Sequence, residues 1–146
     1  MTIHVATKDE ALSTEAALVH CSAPGHGAAD LFIGRVRDLN QGRQVLAVSY
    51  DLHAMLCNNV FREICEEARK EWGDSLHFWL EHRQGRLAVG EASVVVAISS
   101  PHRDESFRAC RYLVEQMKHR APIWKQEHYV DGDSEWVKGH ALCSHG

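Results

Sequence analysis

Residues 99–127, SSPHRDESFRACRYLVEQMKHRAPIWKQE, carry the side chains best suited to chemistry. His102 and Arg103 stand together at one end, and Lys118 and Lys125 stand on either side of Pro122 at the other. Between His102 and Lys125 there are six Lys or Arg against three Asp or Glu, in a chain whose formal net charge is -4. A local excess of cations on an acidic background suits an anion-binding site. Arginine grips phosphate or carboxylate oxygens through paired hydrogen bonds. Lysines can stabilise or protonate negative charge that builds up as bonds break. The bland alternative is a solvated helix face, since charged side chains are mostly exposed.

The elements that would position these groups follow from the pattern around them. Phe107, Cys110, Val114 and Met117, with Leu113 beside them, recur at helical spacing and predict one apolar helix face. The helix is expected to start near Ser100 and Pro101, with the hydroxyl as a cap and the proline in the first turn. Asp104 and Glu105 then meet the favourable end of the helix dipole. Pro122 ends the helix by disfavouring helical geometry at Ala121. Lys118 therefore falls near the helix C-terminus, and Lys125 on a strand-like IWKQEHY segment beyond it. The two lysines sit on different elements and could converge on one ligand. His102 and Arg103 sit at the opposite end, where free backbone amides also attract anions. A symmetric dimer could bring the two ends together.

Composition narrows the classes. At 146 residues with 45% hydrophobic content, one domain spanning 1–146 with a real core is expected. No apolar run reaches membrane-spanning length, and MTIHVATKDEALS does not read as a signal peptide. Five cysteines with no CxxC are expected to be thiols in a reducing, cytoplasmic setting. Overall acidity argues against general nucleic-acid binding. His20, Cys21 and His26 form one His/Cys group, and His140, Cys143 and His145 another. Neither has zinc-motif spacing, so no metal and no cofactor is expected. Cys57, Cys65 and Cys110 fall on apolar stripes, where cysteine behaves as a small hydrophobe. Cys143 lies in the tail.

Read in order, the chain predicts a short strand at 3–5, a helix at 13–21, a loop at 21–27 and a strand at 28–37. A turn at 38–43 leads to a strand at 44–51, the two strands reading as a hairpin with a long connection. Residues 54–72 predict a long helix with Cys57, Phe61, Ile64, Ala68 and Trp72 buried and Gly73 ending it. Residues 75–83 predict a strand with Leu76, Phe78 and Leu80 on one face, Gln84-Gly85 a turn, and 91–99 a β-branched central strand. The cationic helix, the IWKQEHY strand, a DGDS turn and a short EWV segment follow. Residues 139–146 read as a frayed or partner-docked tail. The fold class is α+β, with a largely antiparallel sheet and packed helices. Trp124 reads as core packing, and Arg35 and Arg43 as weaker site candidates.

The wording of the cationic stretch resembles the signature of the molybdopterin synthase catalytic (large) subunit family. It is similar to that family's Ser-Ser-x-His-Arg, Phe-x-Ala-Cys and Lys-x-x-x-Pro-Ile-Trp-Lys-x-Glu blocks. FIGRVRDLNQG at 32–42 and HRQGRLAVGEASVVVAISS at 82–100 agree as well, so the resemblance runs from about Gly27 to Val137. It implies the family's hammerhead-like α+β fold. It also implies sulfur transfer from the C-terminal Gly-Gly thiocarboxylate of a small ubiquitin-like subunit to cyclic pyranopterin monophosphate, forming the molybdopterin dithiolene. The implied assembly is a homodimer within a heterotetramer. Residue by residue, Lys118 and Lys125 match the family's two key lysines and are expected to be catalytic. Arg37, His102 and Arg103 match substrate-binding positions. Phe32 would contact the partner's tail, although ordinary core packing suits it better. Lys138 and His140 stand near where the family often has an arginine after Trp-Val, and Cys57-Asn58-Asn59 is a local variation. A non-catalytic pterin-phosphate or anion-binding module, or a module that only docks a ubiquitin-like partner, remains the alternative. A transferase carrying its own persulfide on a cysteine is a further one.

Overall fold

The computed structural model describes residues 2–138. Its elements are β1 (Ile3–Lys8), α1 (Thr14–His20), β2 (Ala28–Arg35), β3 (Leu39–Asn40), β4 (Arg43–Leu52), α2 (Ala54–Trp72) and β5 (His77–Arg83). Then come β6 (Gly85–Ala88), β7 (Ala92–Ser100), α3 (Arg103–Arg120), β8 (Ile123–Tyr129), β9 (Gly132–Asp133) and β10 (Val137–Lys138). The strands form two sheets. The first has the order β1-β5-β7-β2, with β1 parallel to β5 and the other pairs antiparallel. The second has the order β10-β8-β4-β3, with β6 also on β4 and β9 on β8, all antiparallel. The α+β reading with antiparallel-rich sheets holds.

Alternation explains the layering. Leu76, Phe78 and Leu80 face one side of the first sheet and join Phe61, Ile64 and Ala68 of α2 and Leu113 and Met117 of α3 in the main core. Trp79 faces the other side and meets Ala17 and Cys21 at α1. β7 is covered on both faces, with Val94, Val96 and Ile98 in the main core and Val95 and Ala97 under α1. That is why its sequence reads as an unbroken apolar run instead of an alternation. The second sheet has a small core of Val36, Val45, Val48, Leu87 and Tyr129, and Tyr50 packs against both this and the main core. The turn between β3 and β4 places Gln41 at φ 53 and Gly42 at φ 76. Positive φ at both central residues suits a tight two-residue hairpin.

The structure corrects several sequence expectations. The strands at 28–37 and 44–51 do not pair. β2 pairs with β7, and β4 with β8, β6 and β3. The register of β2 shifts between Gly34 and Arg35, and Val36 then gives its N–H to the Glu91 carbonyl while its side chain enters the second core. The chain thus crosses between sheets instead of folding back. A strand also follows the Gln84-Gly85 turn, because β6 fills an edge of β4. Ser100 caps nothing. It is buried in β7 with its hydroxyl donating to the His102 carbonyl at 2.6 Å, and α3 starts after His102. The buried stripe of α3 is Ser106, Ala109, Leu113 and Met117, while Phe107 is 57% exposed and Cys110 and Val114 are half-buried. Small residues at 106 and 109 let the helix lie close to β2 and β7, and the Ser106 hydroxyl donates to Asp30 of β2. Trp124 points outward, with the Lys138 ammonium 5.6 Å from its ring centre. The alternation of β8 leaves it no other direction, since Ile123 and Glu127 are buried on the inner face. The tail expected at 139–146 lies outside the described residues.

Candidate active site

Folding sorts the cationic stretch into neutralised charges and available ones. On α3, Arg108 pairs with Asp104 at 2.9 Å and Arg111 with Glu115 at 2.9 Å, both one turn apart. Arg120 reaches across to α2, where its guanidinium binds both carboxylate oxygens of Glu67 at 2.7 and 3.0 Å. Tyr112 donates to the same carboxylate at 2.6 Å. These hydrogen bonds hold the Glu67 carboxyl below its usual range, with Arg120 contributing most. The three arginines are therefore structural or solvated. Arg103 and Lys118 have no ion-pair partner among the described residues, and they occupy opposite ends of α3.

The lysine end is the more elaborately built. Pro122 stops α3 at Ala121, whose ψ of 136 is extended. Lys118 stays on the last helical turn, exposed, and the chain re-enters the second sheet as β8. Lys125 lies on the inner face of β8 between buried Ile123 and buried Glu127, its side chain only 22% exposed. Its ammonium is 3.5 Å from the Glu127 carboxylate. Glu127 is in turn fastened by the DGDS turn. Its N–H donates to the Ser134 hydroxyl at 2.8 Å, and the Ser134 N–H donates to its carbonyl at 2.9 Å. Lys125 is registered opposite Tyr50 of β4, so the two side chains share that face. The ring of Tyr50 stands edge-on to His82 at 5.0 Å.

His82 was not singled out by its residue type, yet it lies at this junction. It continues the row of Leu76, just before β5, and Phe78 and Leu80 on it, where a helix-facing apolar side chain would be expected. It is 4% exposed. Its Nδ1 lies 2.8 Å from the Arg83 carbonyl and so donates to it. Burial pushes the imidazole down to about 4, and the nearby positive charge of Lys118 adds to that effect. The Lys118 charge is thus felt at the same buried ring that touches Tyr50. Lys125 with its shielded carboxylate, Tyr50 and the buried imidazole thus form one run of neighbours across β8, β4 and β5, and the Lys118 charge is felt at its His82 end. The sequence signal that could have found His82 is the interruption of that apolar row.

The remaining expected residues are placed as follows. Arg37 is exposed, one residue beyond Val36, which packs in the second-sheet core together with Tyr50. Phe32 is half-buried against the main core. His102 and Arg103 are exposed at the start of α3, about 22 Å along the helix from Lys118 at 1.5 Å per residue. No side chain caps that helix end, so its first amides remain available beside His102 and Arg103. Arg43 is spoken for, paired with Asp131 at 2.7 Å and stacked 3.7 Å above the Tyr129 ring. Arg35 is exposed at the end of β2. Among the described residues no group of three or more His, Cys, Asp or Glu gathers as a metal site. His20, Cys21 and His26 each turn to other partners: the Thr2 carbonyl, the His77 carbonyl and the Ser99 hydroxyl.

Fold and charge distribution together describe a small α+β protein whose cationic stretch from His102 to Lys125 suits an anion. The sequence profile described as MoaE protein matches residues 7–120. The chain belongs to the MoaE protein family. It is similar to the molybdopterin synthase catalytic subunit of Synechococcus elongatus, at 46% identity over 128 residues, covering 88% of this chain and 78% of that protein. The corresponding subunit 1 of Aedes aegypti is 41% identical over 120 residues, covering 81% of this chain and 77% of the relative. Among solved structures, molybdopterin synthase from Staphylococcus aureus superposes with a TM-score of 0.86 at 29% identity, covering 90% of this chain and 95% of that one. The MoaE protein of Burkholderia ambifaria gives 0.80 at 27%, covering 96% and 95%.

Proposed function

We propose that this protein is the catalytic subunit of a molybdopterin synthase, a sulfurtransferase. It moves sulfur from the C-terminal Gly-Gly thiocarboxylate of a small ubiquitin-like subunit to cyclic pyranopterin monophosphate, building the dithiolene. The observation that carries this reading is the inward-facing Lys125 on β8, just past the break that leaves Lys118 exposed at the end of α3. In that position the lysines stabilise and protonate the oxygen that each sulfur replaces. Arg37, with His102 and Arg103 at the uncapped helix end, holds the phosphate. Because His102 and Arg103 lie a helix length from the lysines, a complete site takes them from a second copy of the chain. The assembly is then a homodimer carrying two small subunits, and the partner's tail approaches past Phe32. The setting is the reducing cytoplasm.

The rival that places a persulfide on this chain finds little support. Burial pushes Cys21 up to about 12, Cys57 and Cys110 up to about 11, and Cys65 higher still, so none of the four is a ready thiolate. A single-turnover assay with cyclic pyranopterin monophosphate and a thiocarboxylated small subunit tests the proposal. Product from wild type, but not from Lys118→Ala or Lys125→Ala, is expected. Substrate binding without product would leave a pterin-phosphate-binding module, and partner binding alone would leave a docking module.

A further inference from the structure

The geometry points to a second catalytic site, on the outer face of the second sheet. Ser49, His128 and Asp133 form a nucleophile, base and orienting carboxylate suited to hydrolysing small acyl esters, with Arg86 beside them to receive the developing oxyanion. The inference goes beyond the proposed sulfur transfer and does not depend on it.

Strand pairing sets the faces. Lys125 and Glu127 are registered opposite Tyr50 and Val48, on the side that carries the second-sheet core. Ser49 lies between Val48 and Tyr50 on β4, so it points to the other side. Arg86 of β6 is its direct partner there, and His128 of β8 stands two residues beyond its other partner, Gln126. The Ser49 hydroxyl is 2.7 Å from His128 Nε2. Nδ1 of the same ring is 2.9 Å from the carboxylate of Asp133, the residue registered opposite His128 on β9.

The direction of this chain follows from its members. A carboxylate only accepts, so Nδ1 of the neutral ring carries the proton and donates it. The Nε2 lone pair then faces the Ser49 hydroxyl, which donates to it. A hydroxyl is a weak nucleophile until such a base takes its proton. These are the three roles of a serine hydrolase, which are recognised by geometry and not by chain order. Ser49 is only half-buried, whereas His128 is 8% exposed, so the base is shielded and the nucleophile stands nearer the surface. Arg86 is exposed, and its side chain makes no ion pair or hydrogen bond among the described residues. That leaves a guanidinium uncommitted beside the nucleophile. Arg86, Ala88 and Trp124 are all exposed on this face, which suits a small acyl group better than a long chain.

The reaction balances with water alone. Ser49 Oγ bonds to the ester carbonyl carbon as its proton passes to Nε2, and the oxyanion forms beside Arg86. The bond from that carbon to the alcohol oxygen breaks, and the alcohol leaves with the Nε2 proton. Water then attacks the acyl-serine, its proton passing through Nε2 to the serine oxygen, and a carboxylic acid is released. One ester and one water give one alcohol and one acid, with no oxidation or reduction.

The same hydrogen bonds tie β9 to β4, so the experiment must separate a catalytic chain from a structural one. The full-length protein is treated with a fluorophosphonate probe, the adduct is located by mass spectrometry, and hydrolysis of p-nitrophenyl acetate is followed in parallel. An adduct on Ser49 is expected, together with hydrolysis that falls at least about 10-fold in Ser49→Ala. His128→Gln should slow both reactions by about 100-fold, the range for losing a general base. Asp133→Asn should slow them by roughly 10-fold, because an amide can donate to Nδ1 and so favours the wrong tautomer. Arg86→Met removes no member of the hydrogen-bonded chain, and should still lower kcat for the ester by roughly 10-fold. Circular dichroism should show the variants folded. An unlabelled Ser49 in the folded wild type would overturn the inference and leave only the structural role. So would hydrolysis that persists in Ser49→Ala, or an Arg86→Met variant with wild-type kcat. Sulfur transfer, proposed for the lysine side, stands or falls by its own assay.

Discussion

The two ends of α3 carry similar charges but are built differently. At its start, His102 and Arg103 project into solvent beside an uncapped helix end, with Ser106 fastening the helix to Asp30 of β2. At its finish, Lys118 is exposed on the last turn, Lys125 is turned inward on β8 beside Glu127, and the Lys118 charge is felt at buried His82. An exposed cation on a free helix end can recognise an anion, but it is poorly placed to direct a reaction. A lysine flanked by buried groups has a fixed environment, which electrostatic catalysis requires. The contrast supports the proposed division, with binding at one end and chemistry at the other.

The largest predicted effect tests that division directly. Lys118→Ala and Lys125→Ala should each lower the single-turnover rate by about 100-fold or more, the range for losing a proton-transferring or charge-stabilising group. Circular dichroism should show both variants folded. Substantial turnover in either would move the chemistry elsewhere.

Acid stability should also betray the lysine end. His82 is held at about 4 when folded, against 6.5 for an ordinary imidazole, so the unfolded chain binds more protons between those values. Its contribution to stability is therefore full above pH 6.5 and is lost as pH falls toward 4. The loss amounts to roughly 3 kcal/mol. His20, also lowered chiefly by burial, adds to it in the same direction. Urea midpoints at pH 7, 5 and 4 should fall less steeply in His82→Gln than in wild type. An unchanged slope would show that the ring is not held uncharged.

At the other end, Arg103→Ala should weaken substrate binding by about 10-fold, as for one charge-assisted hydrogen bond, with a smaller effect on the rate of bound substrate. Mixing refolded Lys118→Ala and Arg103→Ala chains should restore part of the activity if a site draws on two copies. No recovery in a mixture shown to exchange subunits would confine the site to one chain. The smallest effect is expected at Asp104 and Arg108, an exposed pair one turn apart near the binding end. Asp104→Asn should change stability by only about 0.3–0.5 kcal/mol. It should leave turnover unchanged, separating the solvated charges of α3 from the working ones.

Much of this protein was legible in the residues themselves. The spacing at 54–72 gave α2 to the residue, and Pro122 between the two lysines placed Lys118 on a helix and Lys125 on a strand. These are local properties, set by side-chain periodicity and by backbone terms that proline imposes on its neighbour. The separation of His102 and Arg103 from the lysines follows from helix length alone. Pairing was not local. β2 and β4 are close in sequence but join different sheets, because a register shift and the crossing at Val36 take the chain from one core to the other. Nor could charge counting tell that Arg108, Arg111 and Arg120 are neutralised while Lys118 is not, since Arg120 finds Glu67 only when α2 and α3 pack. His82 is the clearest case. In sequence it is a histidine at the end of a strand. Only tertiary structure buries it against Tyr50 and within reach of the Lys118 charge, where the cost of burying charge favours the uncharged ring.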